Sequence, residues 1–115
     1  MRYDDVVKYC LAKPGASPDE PWPDDLVVKV SGKIFAFLGG TDAMGVKCGP
    51  TKEAAAEWRE RYPTAVSVMA YIGRYGWNSV ALDGTLPEHE VRELIDSSYA
   101  DVVSRLPKSK RPQSA

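Results

Sequence analysis

The chain has 115 residues, 27% of them charged, and a formal net charge of −1. This length is enough for one domain that buries roughly 65% of its unfolded surface without stabilising cross-links. It holds no apolar segment of the ~20 residues needed to span a membrane, and its acidic N-terminus does not resemble a signal peptide. We therefore predict a single cytoplasmic domain, residues 1–106, with a basic, flexible tail, residues 107–115, and no membrane partner.

Hydrophobic periodicity and turn residues predict three helices and five strands. In chain order they are helix 3–13, strands 26–30, 33–38 and 43–48, helix 51–62, strands 67–72 and 77–82, and a last helix that Pro107 ends. Residues 14–25 contain four prolines and are predicted to be a connection. Short links between consecutive strands predict a mainly antiparallel sheet with the helices on one face. The predicted fold class is α+β, in two layers, with the order α-β-β-β-α-β-β-α.

The last helix has the clearest pattern in the chain. Apolar residues recur at spacings of three and four over residues 91–106, as is typical of a helix with one buried stripe. Glu88 and Arg92 are four residues apart, and so are Asp101 and Arg105. This spacing predicts two ion pairs on the solvent side of the helix.

Residues that could support catalysis or metal binding are few. Cys10 and Cys48 are isolated, which predicts two reduced, buried thiols; a disulfide between them is the alternative. His89 is the only histidine and lies among acids on the last helix, so no metal site is predicted. The chain has no G-x-S-x-G, no phosphate loop and no HExxH. We therefore expect no catalytic residues, no enzymatic activity and no cofactor.

Strand alternation predicts a sheet face that carries basic and aromatic residues together. The residues predicted to face the helices are Leu26, Val28, Val30, Ile34, Leu38, Val46, Val80 and Leu82. The residues predicted to lie on the opposite face are Lys29, Lys33, Phe35, Phe37, Lys47 and Trp77. Such a face could neutralise phosphates and stack unpaired bases, whereas basic hairpin turns and the tail could instead straddle a duplex backbone.

Nucleic acid is therefore the leading predicted partner. The candidate contact residues are Lys29, Lys33, Lys47, Arg74, Tyr75, Trp77, Lys108, Lys110 and Arg111. The alternative is a small molecule or protein partner in an apolar groove lined by Trp22, Phe35, Phe37, Tyr71 and Trp77. A third interpretation treats the phenylalanines as core, the lysines as solubilising residues and Trp22 as an anchor against the body of the domain. We expect a monomer or a weak dimer.

Several segments resemble the MmcQ/YjbR-like family, which shares the frataxin (CyaY)-like α+β fold. They are KPG at 13–15, LVVKVSGKIFAFL at 26–38, KCGP at 47–50, RYP at 61–63, IDSSY at 95–99, LPK at 106–108 and, most specifically, WNSVALDGTLP at 77–87. Residues 71–74, YIGR, differ from the histidine- and asparagine-containing segment expected there, so no role is carried over to them. The resemblance implies the CyaY-like fold and a DNA-binding role through paired hairpins that form a double-wing motif. It implies no enzymatic activity, and the likeness to frataxin is one of fold only.

Overall fold

The computed structural model describes residues 1–70 and 72–112, except for the side chain of Arg74. In this part of the chain, three helices cover one face of an open, six-stranded antiparallel sheet. The predicted α+β class is confirmed. The elements are α1 Tyr3–Leu11, β1 Ala16–Asp19, β2 Val27–Val30, β3 Lys33–Phe37, β4 Ala43–Lys47, α2 Lys52–Arg61, β5 Val66–Val68, β6 Trp77–Ala81 and α3 Glu88–Ser104, with 3-10 turns at Gly73–Tyr75 and Lys108–Lys110. The strand order across the sheet is β1-β2-β3-β4-β6-β5.

Strand β1 is an element that the sequence did not predict. It lies in the proline-rich stretch interpreted as a connection and pairs antiparallel with β2, from Ala16 opposite Val30 to Asp19 opposite Val27. Pro18 lacks an amide hydrogen, which is tolerated here because β1 is the edge strand of the sheet. The sheet therefore has six strands instead of the predicted five.

The hydrophobic core lies between the helices and one face of the sheet. The fully buried residues of its central part are Val6, Cys10, Val28, Ala36, Met44, Val46, Val80, Leu94 and Ile95.

Cys10 and Cys48 are both buried and unpaired. Burial raises the pKa of Cys10 to about 12 and the pKa of Cys48 to about 11, so both thiols stay protonated at neutral pH. In the described part of the chain, no helix is long and apolar enough to cross a membrane.

A β-bulge in β3 changes which side chains face the helices. Val28 pairs with Ala36, and the next residue of β2 pairs with Ile34, so Phe35 is the extra residue of the bulge. Phe35 is fully buried, and its ring meets the ring of Tyr99 of α3 edge to face at 5.2 Å. The prediction that Phe35 lies on the open face is wrong because simple alternation stops at the bulge.

Helix α3 also opens the ladder between β3 and β4 next to this bulge. The two strands are paired at only two residue positions. Beyond them the Ser98 hydroxyl donates to the Phe35 carbonyl at 2.6 Å and accepts from the Lys47 backbone N–H at 3.0 Å. A helix side chain thus replaces the hydrogen bond that would otherwise join the two strands directly. This opening lets the Lys47 side chain reach α3.

Candidate nucleic-acid interface

The two hairpin turns predicted as wings lie at the same end of the sheet. The β2–β3 turn and the β5–β6 connection both precede strands that begin at this end, where β4 finishes. Strand β4 lies between β3 and β6. The end of β4 therefore separates the two hairpins.

A groove of about 450 Å³ lies between these turns and the end of α3, and we name it the C-terminal groove. It is lined by Lys33, Ile34, Lys47, Tyr75, Trp77, Asp101, Val102, Arg105 and Leu106. Four of these, Lys33, Lys47, Tyr75 and Trp77, are among the residues predicted to contact nucleic acid. The fold brings them together although they come from three strands and a turn.

Asp101 is the only carboxylate among these lining residues, and two cations bind it. Lys47 Nζ lies 2.5 Å, and Arg105 Nε 3.0 Å, from the same oxygen, Oδ2. The side chains of Lys47 and Asp101 are 9% and 8% exposed, whereas that of Arg105 is 60% exposed. Burial alone would raise the pKa of Asp101, but the hydrogen bonds and charges of Lys47 and Arg105 outweigh it and hold this pKa below its usual value. With Lys33, the groove has three cations and one anion.

The prediction that Asp101 lies on the solvent side of α3 is wrong, because its carboxylate faces the gap between β3 and β4. The companion prediction for Glu88 and Arg92 is confirmed, since these two side chains form an exposed ion pair at 3.2 Å. Sequence reasoning also missed Arg105 as a groove residue. The helical stripe had placed Val102 and Leu106 inward, but nothing in the sequence linked them to Lys33 or Trp77.

The aromatic residues of the groove differ in their support. Trp77 is half-buried, and its ring meets Phe37 edge to face at 5.4 Å on the sheet face away from the helices. Met69 covers the same face, because a Cβ on Gly45 would lie 2.7 Å from its Sδ. Tyr75, in the 3-10 turn before β6, is 56% exposed. The groove thus offers one exposed ring and one ring held by its neighbours.

Other predicted nucleic-acid contacts lie outside the groove. Lys29 forms an ion pair with Asp19 across β1 and β2 at 2.6 Å. Arg111 donates to the carbonyls of Ser104 and Leu106, at 2.9 and 3.0 Å, and so caps the end of α3. Lys108 and Lys110 are exposed on a 3-10 turn. The side chain of Arg74 lies outside the described residues.

The aromatic residues proposed for the alternative groove are not gathered at one place. Phe37 and Trp77 are in contact, but Phe35 is buried on the helix face. Trp22 is 68% exposed, so the prediction that it packs against the body is wrong. Tyr71 lies outside the described residues.

A second concavity, of about 460 Å³, runs along the outer side of α3, and we name it the seam concavity. It is lined by Tyr9, His89, Arg92, Glu93, Asp96, Ser97 and Ala100. Asp96 accepts from the Tyr9 hydroxyl at 2.8 Å and forms an ion pair with Lys13 of the α1 end. Among the described residues, no three His, Cys, Asp or Glu side chains are grouped so that they could hold a metal ion.

Comparison with known proteins identifies the family. The YjbR family model matches residues 11–101. The chain belongs to the YjbR family. The uncharacterised YjbR proteins of Escherichia coli strains K12 and O157:H7 are each 30% identical to it in an alignment 113 residues long that covers 96% of this chain and 95% of each of theirs. The motif resemblance predicted from the sequence is thus confirmed.

Solved structures agree with the YjbR assignment. A Deinococcus radiodurans crystal structure with the family-model domain DUF419 superposes with a TM-score of 0.84 at 26% identity, covering 96% of this chain and 86% of that chain. A Pseudomonas syringae protein superposes with a TM-score of 0.68 at 23% identity, covering 85% of this chain and 96% of that chain. The second likeness is one of fold.

Proposed function

We propose that this YjbR protein is a non-enzymatic module that binds single-stranded nucleic acid in the C-terminal groove. The observation that carries the proposal is the convergence of Lys33, Tyr75 and Trp77 with Arg105 in one groove that has an excess of positive charge. Bases would stack on the two aromatic rings, and phosphates would meet the two exposed cations. Asp101, the groove's carboxylate, is engaged by two cations, which disfavours it as a general base.

The dimensions of the groove favour a single strand over a duplex. A concavity of about 450 Å³ suits the splayed bases of an extended single strand, whereas a duplex would have to lie across both hairpins. A duplex would also need several phosphate contacts, and Arg111, one of the basic residues predicted for that role, is bonded within the protein.

Fluorescence anisotropy of a labelled oligothymidylate, titrated at low and at physiological salt, tests the proposal. The two phosphate contacts inside the groove should contribute about −1.4 to the slope of the logarithm of the association constant against the logarithm of salt concentration. Tyr75→Ala should weaken binding about tenfold through lost stacking, and Lys33→Ala should weaken it and flatten the salt slope. The matched controls are Trp22→Ala, an exposed aromatic residue of another loop, and Lys52→Ala, an exposed lysine of α2.

Equal affinity of Tyr75→Ala and Trp22→Ala would contradict the proposed site, and failure to bind at low salt would contradict the proposed function. Tighter binding of a duplex than of a single strand would move the contact from the groove to the hairpin tips. Salt-insensitive binding of an apolar compound or a protein would support the second candidate, a small-molecule or protein-binding role. That candidate is supported by the apolar wall of Ile34, Val102 and Leu106.

A further inference from the structure

We infer that the C-terminal segment 107–112 is a built part of the binding surface and adds a phosphate-binding rim beside the C-terminal groove. This basic rim consists of Lys33, Arg105, Lys108 and Lys110. The inference rests on the proposed function and narrows its ligand to a chain of linked nucleotides, because Lys108 and Lys110, which lie outside the groove, can contact only phosphates beyond the first nucleotide.

Three attachments hold the segment against the domain. Arg111 bonds the carbonyls of Ser104 and Leu106 at the end of α3. The Ser31 hydroxyl, in the β2–β3 turn, donates to the Lys110 carbonyl at 2.5 Å. Pro112 packs over Gly15, where a Cβ would lie only 2.9 Å from the proline Cγ. The segment is thus connected to α3, to one hairpin and to the turn before β1.

These attachments place the lysines of the segment at the edge of the groove. Lys108 follows the groove residue Leu106 by two positions, so their Cα atoms are at most about 7 Å apart. Lys110 is bonded through its carbonyl to Ser31, which precedes the groove residue Lys33 by two positions. The segment therefore runs beside the groove from the end of α3 to the β2–β3 turn.

The lysines of the rim have no counter-charge within the described part of the chain. None of its ion pairs includes Lys33, Lys108 or Lys110, and all three are exposed. The lysines elsewhere on the same sheet, Lys29 and Lys47, are each paired with an aspartate. Uncompensated cations that lie next to stacking aromatic residues match the chemistry of a single-stranded nucleic acid.

Arg111 acts in this arrangement as a positioning residue. Its planar guanidinium donates to two carbonyls at once, which a lysine ammonium on a flexible stem does less well. By fixing the segment before the ligand arrives, it lowers the conformational entropy lost on binding. The contribution of Lys108 and Lys110 should therefore depend on Arg111 even though all three residues carry the same charge.

The test compares oligothymidylate with thymidine monophosphate on the full chain. We expect Arg111→Lys, which keeps the charge, to weaken oligothymidylate binding about fivefold and to leave monophosphate binding unchanged. The double variant Lys108→Ala with Lys110→Ala should weaken the oligonucleotide at least as much and reduce the magnitude of the salt slope by about 1.4, corresponding to two contacts. Ser31→Ala breaks another attachment without a charge change and should act in the same direction.

The outcomes separate this inference from the proposed function. If the unmodified chain binds no oligonucleotide, both are wrong. Suppose that oligothymidylate binds the unmodified chain and that Tyr75→Ala and Lys33→Ala weaken this binding. If Arg111→Lys, Ser31→Ala and the double lysine variant then bind as tightly as the unmodified chain, only the rim is wrong. Equal affinity for the monophosphate and the oligonucleotide would also overturn the rim. Thermal unfolding of each variant shows whether a loss of binding reflects a loss of fold.

Discussion

The C-terminal groove and the seam concavity lie along the same helix and have nearly the same volume, but their chemistry differs. The groove holds three cations and one carboxylate, together with Tyr75 and Trp77. The seam concavity holds one arginine and two carboxylates, and its Asp96 bonds Tyr9 of α1 and Lys13 just after that helix. The seam residues join two helices, whereas the groove keeps exposed cations and an exposed ring. Their volumes do not distinguish the two concavities. They differ in whether their polar side chains join elements of the protein or remain exposed.

The largest difference should appear when one aspartate of each region loses its charge. Asp101→Asn leaves Lys47 buried without its counter-ion and should lower the free energy of unfolding by about 3 kcal/mol. Asp96→Asn is the matched control, because its side chain is 48% exposed, and should lower it by less than about 1 kcal/mol. Urea unfolding of both variants measures this. Equal effects would show that the groove pair is not more deeply buried in practice.

Adjacent serines of α3 provide a second contrast. Ser98→Ala leaves the Lys47 N–H and the Phe35 carbonyl without the hydroxyl that joins them, and should cost about 2 kcal/mol of unfolding free energy. Ser97→Ala, beside the seam concavity, should cost less than about 0.5 kcal/mol. Denaturant unfolding gives both values. A neutral Ser98→Ala would mean that β3 and β4 close the ladder without the hydroxyl.

Strand alternation and helical periodicity predicted most of the fold because they depend on local pattern. The pattern failed at β1, where an acid and a proline in an edge strand look like a loop, and at Phe35, where the bulge ends the alternation. Both failures have a tertiary cause. Pairing with β2 stabilises β1, and the Phe35 ring fills the space against Tyr99.

The candidate site was predictable only in part. Alternation placed Lys33, Lys47 and Trp77 together, and the adjacent turn supplied Tyr75. The partner of Lys47 was not predictable, because Asp101 is 54 residues away in the chain and its spacing to Arg105 suggested a solvent-side pair. The attachments of segment 107–112 also depend on Ser31 and Gly15, which are close to it only in the folded protein.

Acid should destabilise the groove in a defined pH range. Because the pKa of Asp101 in the folded protein is below its usual value of about 3.9, its ionised form stabilises the fold above about pH 4. This contribution is lost as the pH falls through the lowered pKa. The free energy of unfolding of the unmodified protein should therefore decrease more steeply below pH 4 than that of Asp101→Asn. Parallel pH curves for the two proteins would contradict the assigned role of this carboxylate.

The smallest effect is expected for the exposed pair next to the seam concavity. Arg92 and Glu88 are 49% and 56% exposed, so Arg92→Ala should change the free energy of unfolding by about 0.5 kcal/mol or less. It should also leave oligothymidylate affinity unchanged. A loss of binding in Arg92→Ala would place the ligand at the seam concavity instead of the groove.

The most direct test of the account is a nuclear magnetic resonance titration of the ¹⁵N-labelled protein with oligothymidylate. We expect amide shifts to concentrate at Lys33, Tyr75, Trp77 and Arg105, and to extend into residues 108–111. Residues of the seam concavity, such as His89 and Glu93, should not shift. Shifts centred on the seam concavity, or no shifts at low salt, would contradict the assignment of the C-terminal groove as the nucleic-acid site.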